Sequence, residues 1–407
     1  MTRIMRLVAI VIAILVLVAP SHGRAEDVPF ERGASLQAFT FPETVGDHYA
    51  EDPYPSADDT AARFKISELP GLGLDHVRLP VDVGPLLDDL DGKVRQRLVD
   101  TLRDLIKRLH AERIGVILTF VAPSLGGALP DQILDGPDGP KFRRYLAVAE
   151  ALTGAFADLN EGPLAIEPMN EPQQPCVRKD GPDWSVHQPI LLARLRVAAP
   201  KLWLGVTGGC WSKIEGLGSI DKALMHDPKT YLSVHFYDPF LFTHQGTDWS
   251  LDIMPLVVGL PYPPRQDALP RVLAAARKRS LQTGAGSKES RKRRLTEAEA
   301  AIRYYFSADP HATMADTFAE LRRRAAALGI TTKRVVFTEF GAVRSDDGDA
   351  SRARWLRDVS GMIEEEGAGW TLWVLRGGPF GIDRDNGGFE PALLRALRLH
   401  VPSGSIP

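Results

Sequence analysis

Two apolar runs of this chain each stop on a carboxylate: Ala165-Ile-Glu-Pro-Met-Asn-Glu-Pro172 ends on Asn170-Glu171, and Val335-Val-Phe-Thr-Glu339 ends on a second acid. Neither glutamate lies in a helical pattern, where exposed charge would be ordinary, and an acid at the end of a buried strand is costly without a task or a partner. Other runs end on Arg78, on His235 with Tyr237, and on Trp373. Two carboxyl groups flanking one bond can divide proton donation and attack between them, which is the chemistry of glycoside hydrolysis. An arginine beside one acid lowers its pKa and keeps it an attacking anion. The other acid must begin protonated, which a neighbouring anion favours until that anion is consumed as an ester. The structural alternatives are plain: helix capping for the glutamates, an ion pair with Asp82 for Arg78, and satisfied core polar groups for His235 and Tyr237.

Residues at strand tips need strands to carry them. Eight short apolar or β-branched runs recur at residues 34–39, 76–80, 115–120, 164–169, 202–207, 232–237, 334–338 and 370–375. Most are separated by segments with apolar residues at three- and four-residue spacing, at 94–111, 141–159, 189–198, 314–328 and 350–366, and this alternation predicts α/β structure with a parallel sheet. Eight units without an obvious edge strand predict a closed (β/α)8 TIM barrel, whose chemistry gathers at the C-terminal ends of the strands. The spacing breaks once, between the sixth and seventh runs. A long helical insertion is expected there, at about 244–330, and residues 277–294 hold eight basic residues and one acid, a net +7. That segment reads as a solvated helical excursion or as a docking surface for an anionic polymer or lipid headgroups.

Arg3 and Arg6, the apolar run 7–19 and the small-residue ending Gly23-Arg24-Ala25 have the pattern of a signal peptide over residues 1–25. The run is shorter than the roughly 20 residues that span a bilayer, so no stable membrane insertion is expected after cleavage. Residues 26–407 are then expected to form one catalytic domain, secreted or periplasmic and monomeric. A net charge of −3 with 44% hydrophobic residues offers no global basicity for nucleic acid. Cys176 and Cys210 are the only cysteines, and in an oxidising compartment they are either a disulfide or two buried thiols. No phosphate-loop, zincin or hydrolase-elbow motif is present. The aspartates at 82, 88, 89 and 91 and at 346, 347 and 349 lack a calcium-loop pattern, so no metal and no organic cofactor is expected. Trp184, Trp211, Trp249 and Trp373 fall at or beyond the ends of runs and offer flat faces for pyranose rings.

"VRLPV", "IEPMNEP", "HFYDPFLFTHQG", "FTEFG" and "WTLWVL" occur in that order over the mature chain. Together they resemble the family 5 glycoside hydrolases, the cellulase-like retaining glycosidases of a large (β/α)8 clan. The resemblance implies that Glu171 is the acid/base and Glu339 the nucleophile. Asn170 would bind the sugar 2-hydroxyl, Arg78 and Tyr237 would hold Glu339, His235 would stand beside Glu171, and Trp373 would lie under the sugar at the cleavage point. The family usually has a histidine just after the third strand; Leu118-Thr-Phe-Val-Ala-Pro123 has none. The expected activity is hydrolysis of a β-linked polysaccharide by double displacement, with β-1,4-glucan first and mannan or an envelope exopolysaccharide as rivals. A non-catalytic polysaccharide-binding or assembly protein is the reading from another class.

Overall fold

Strands buried on both faces read as nearly unbroken apolar runs, and those of this chain close into a ring. The computed structural model describes residues 27–402 apart from 88, 90–91, 124, 126–132, 175, 177–182, 283–286 and 346–348. The expected leader therefore lies outside the described residues, as do Asp88, Asp91, Asp346 and Asp347. The barrel strands are β1 (Arg32–Ser35), β4 (His76–Asp82), β5 (Gly115–Val121), β6 (Leu164–Glu167), β7 (Trp203–Val206), β8 (Thr230–Phe236), β9 (Val335–Phe340) and β10 (Gly369–Leu372), with β2 (Thr44–Val45) and β3 (His48–Tyr49) forming a small hairpin apart. Each barrel strand pairs in parallel with the next, and β10 closes on β1. All eight expected strands are present.

Outer helices bury one apolar stripe each. In Lys93–Ala111, for example, Leu98, Leu102, Leu105, Ile106 and Leu109 face the barrel. The helix expected to begin at 189 begins at Trp184, because the Asp183 carboxylate accepts the Ser185 N–H and caps the segment five residues earlier. Inside the barrel the floor is apolar: Ile117, Ala165, Trp203, Tyr231 and Val336 pack together with Phe30. Beside that floor His76 meets Phe30 and bonds Thr371 Oγ1 at 2.8 Å.

The long β8–β9 connection contains Leu269–Gln282, Lys288–Ser307 and Pro310–Ala327. The last sets Phe318 against Phe236 and Phe337 of the barrel wall, with ring centroids 5.4 Å from each, as a regular barrel helix would. The first two pack on one another. Arg277 pairs with Glu299 at 2.6 Å, and Arg294 donates to the Asp252 carbonyl oxygen at 2.8 Å. Among the described residues no helix is long and apolar enough to cross a membrane.

Candidate active site

Each residue singled out at a strand tip converges on one end of the barrel. Arg78 is the third residue of β4, and its guanidinium divides three ways: Nε donates to Glu167 at 2.9 Å, Nη1 to Glu339 at 2.6 Å and Nη2 to Asn170 Oδ1 at 2.7 Å. The partner named for it in sequence, Asp82, instead accepts the Gly84 N–H. Tyr237 Oη donates to the other Glu339 oxygen at 2.8 Å. A register shift between Val234 and His235 sets His235 opposite Glu339, and local bulges of this kind re-aim side chains. His235 Nδ1 then lies 2.9 Å from Glu171 Oε1 and 3.4 Å from Glu339 Oε2. One oxygen from each carboxylate and one ring nitrogen of His235 all fall within 4.8 Å of one another.

Glu171 holds its place through strained backbone. Its φ is +47°, a left-handed conformation that costs a non-glycine residue on the order of 1–3 kcal/mol and persists where surrounding contacts enforce it. Cys210, Trp211 and Ser212 share that conformation, with φ of 60°, 58° and 58°. The two strained segments are stitched together. Trp211 N–H donates to the Pro172 carbonyl at 3.0 Å, His235 N–H donates to the Ser212 carbonyl at 2.9 Å, and a disulfide joins Cys176 to Cys210. This settles the alternative left open in sequence in favour of the bond. Closing 34 residues of chain stabilises by up to about 4 kcal/mol in the chain-entropy picture. Reduction is therefore expected to lower the unfolding midpoint, with the loss of activity preceding global unfolding because the released segment carries Glu171. Thermal scans and activity, measured side by side with and without reductant, check both parts.

Burial governs the electrostatics. Removal from water pushes the Glu339 carboxyl above the usual carboxylate range, with the Glu171 charge adding, against the lowering pull of His235, Arg78 and the Tyr237 hydroxyl. Sequence reasoning predicted the opposite direction from Arg78 alone. The difference arises because burial, which the sequence does not show at this position, outweighs the pull of Arg78, with the Glu171 charge adding to it. Burial also works to raise Glu167, yet Arg78 and the hydroxyls of Ser233 and Thr119 hold it below its ordinary value. Glu167 escaped the sequence reading although it carries the same signal as Glu171, an acid ending an apolar strand.

His244 is a second residue that sequence reasoning missed. It stacks on Phe240 at 4.0 Å between centroids, stands edge-on to Tyr237 at 4.9 Å, and bonds Thr243 Oγ1 through Nδ1 at 3.0 Å. Burial lowers it from 6.5 to about 4. Between those values the unfolded chain binds a proton that the folded chain refuses. Its contribution to stability is thus intact above pH 6.5 and is lost as pH falls toward 4, by up to roughly 3 kcal/mol. Urea midpoints from pH 7 to 4 should fall more steeply for the wild type than for His244→Gln.

The tryptophans divide. Trp184 is a correction to the sequence reading: it is fully buried at a helix start, donating through Nε1 to the Thr207 carbonyl at 2.8 Å, so it offers no face to a ligand. Trp211 and Trp249 are 37% and 59% exposed. Trp373 follows β10 directly, and with Tyr237 it packs against Val343, Val374 and Phe380.

A model of the cellulase family, glycosyl hydrolase family 5, matches residues 55–378. The chain belongs to glycosyl hydrolase family 5. It is accordingly a glycoside hydrolase of the retaining kind. Endoglucanase C of Acetivibrio thermocellus is 23% identical over 316 residues, covering 76% of this chain and 82% of that protein. Among solved structures, the cellulose synthase subunit Z of Clostridioides difficile superposes with a TM-score of 0.63 at 15% identity, over 90% of this chain and 99% of that one. Cel5A of Thermotoga maritima in complex with cellobiose gives 0.62 at 17% identity, over 91% and 97%. These superpositions agree with the (β/α)8 barrel of this family 5 chain.

Proposed function

We propose that this family 5 protein is an exported endo-acting hydrolase of a β-1,4-linked glucan, working by double displacement on Glu339 with Glu171 as acid/base. The observation that carries the reading is the close carboxylate pair, with oxygens within 4.8 Å across His235. Retaining pairs stand about 5–5.5 Å apart, whereas inverting pairs stand about 6.5–9.5 Å apart to admit a water. In the first step a Glu339 oxygen bonds to the anomeric carbon as the bond to the leaving oxygen breaks, and the Glu171 proton passes to that oxygen. Arg78 and Tyr237, one on each Glu339 oxygen, fix the direction of attack. In the second step Glu171 takes a proton from water, the hydroxyl bonds to the anomeric carbon, and Glu339 departs as carboxylate. Asn170 is oriented by Arg78 to bind the 2-hydroxyl of the sugar, and Trp373 supplies the floor beneath the ring. Trp211 and Trp249 extend the cleft as stacking platforms.

The leader pattern at 1–25 supports export, and the disulfide suits an oxidising compartment. A β-mannan is the second substrate to consider, since a superposable structure is that of Thermotoga maritima Cel5A in complex with mannotriose. Reducing-sugar release over a panel of β-1,4-glucan, β-mannan and other β-linked polysaccharides tests the assignment. Release is expected to be fastest from β-1,4-glucan, with products of mixed length. Release from mannan alone, or only of monomer, would contradict it.

A further inference from the structure

Glu167 is a buried acid that touches no position open to substrate, yet it holds one arm of the guanidinium whose other arms hold Glu339 and Asn170. Its own surroundings are built to keep it there as an anion. Thr119 donates to Oε2, which also takes the Arg78 Nε–H, and Tyr231 donates to Oε1 at 3.3 Å. The neighbouring strand makes room: a Cβ at Gly205 would lie 2.8 Å from Glu167 Cγ and 3.1 Å from Tyr231 Oη. We propose that Glu167 is a positioning residue that aims Arg78 and takes up part of its charge, so that Glu339 is oriented as an anion without being held there too strongly.

The charge count explains the need. With both acids ionised, Arg78 faces two negative charges, and when Glu339 becomes a glycosyl ester one of them disappears. Glu167 leaves Arg78 with a counter-ion at that moment; without it a guanidinium fully withdrawn from water would stand unpaired, a costly state. Removing the Glu167 charge therefore favours the free Glu339 carboxylate over its ester. Formation of the ester should slow and its breakdown should quicken. A merely structural role would not move the two steps in opposite directions.

Among the described residues, the groups facing Glu339 are Arg78 on β4, His235 and Tyr237 on and just beyond β8, and Glu171 beyond β6. Glu167 reaches it only through Arg78. Glu167→Gln should let Arg78 act on Glu339 undiminished, moving the acid limb of the kcat/KM profile down by about one pH unit or more.

The inference rests on the reading of Glu339 as nucleophile, and one experiment separates the two. A 2-deoxy-2-fluoro aryl cellobioside is reacted with the wild type and with Glu167→Gln, following inactivation and then reactivation. Inactivation about 10- to 100-fold slower in the variant is expected, the scale of one hydrogen bond to a charged group, together with faster reactivation and the lowered acid limb. Glu167→Asp, which keeps the charge, should restore the acid limb even if rates stay reduced. Should Glu167→Gln fail to fold, Thr119→Val, which removes one donor to the Glu167 carboxylate, should move both steps in the same directions by smaller factors. Parallel changes in the two steps, or an unmoved acid limb, would overturn the role of Glu167 while leaving the nucleophile assignment standing. If the wild type forms no glycosyl-enzyme, both fail.

Discussion

Glu339→Ala is expected to lose nearly all hydrolysis of polysaccharide and of activated aryl glycosides alike, on the order of 10⁶-fold, the scale seen when a covalent nucleophile is removed. A good leaving group gives no relief, because the missing atom is the one that attacks. The variant should still fold, since Arg78 keeps Glu167 as a partner at 2.9 Å. Azide, occupying the space the side chain vacated, should displace the leaving group directly and give the α-glycosyl azide. Product configuration by proton NMR checks this. A β-azide, or near-normal turnover of the aryl substrate, would point to a different nucleophile.

Glu171→Ala should fail in another way. Without the proton donor, cleavage of polysaccharide is expected to fall about 10²–10⁴-fold, the usual worth of general acid catalysis. An aryl glycoside whose leaving group departs without protonation should still form the Glu339 ester. Azide can then attack that ester from the face Glu171 served, giving the β-glycosyl azide and faster turnover. Steady-state rates on both substrates, with and without azide, measure the contrast. Equal losses on both, with no azide product of either configuration, would remove Glu171 from the acid/base role.

The barrel was legible in sequence because its strands are buried almost throughout and read as short apolar runs, several with a polar residue at or near the end, as in Val335–Phe340 with Glu339 near its tip. Positions at or near the run ends pointed to Asn170, Glu171, His235, Tyr237 and Trp373, whereas Arg78 lies inside β4 and reaches the site by the length of its side chain. What sequence did not show was set by contacts between distant segments. Glu167 ends an apolar strand in sequence, but its place in the site shows only when β4 brings Arg78 against it, 89 residues away. The net direction for Glu339 required both its burial and the approach of the Glu171 charge. The fate of Trp184 hung on a helix cap at Asp183 that Pro189 obscured. The cysteines became a pair through the strained turn at 210–212, which folds back toward the loop after β6.

Double displacement through Glu339 is the centre of the proposed mechanism, and isolating the intermediate tests it most directly. The wild type, inactivated with a 2-deoxy-2-fluoro aryl cellobioside and digested, should yield one glycosylated peptide, with fragmentation placing the sugar on Glu339 of Val335-Val-Phe-Thr-Glu339-Phe340. Label on Glu171, on both acids or on neither, from an enzyme shown to be active on β-1,4-glucan, would contradict it.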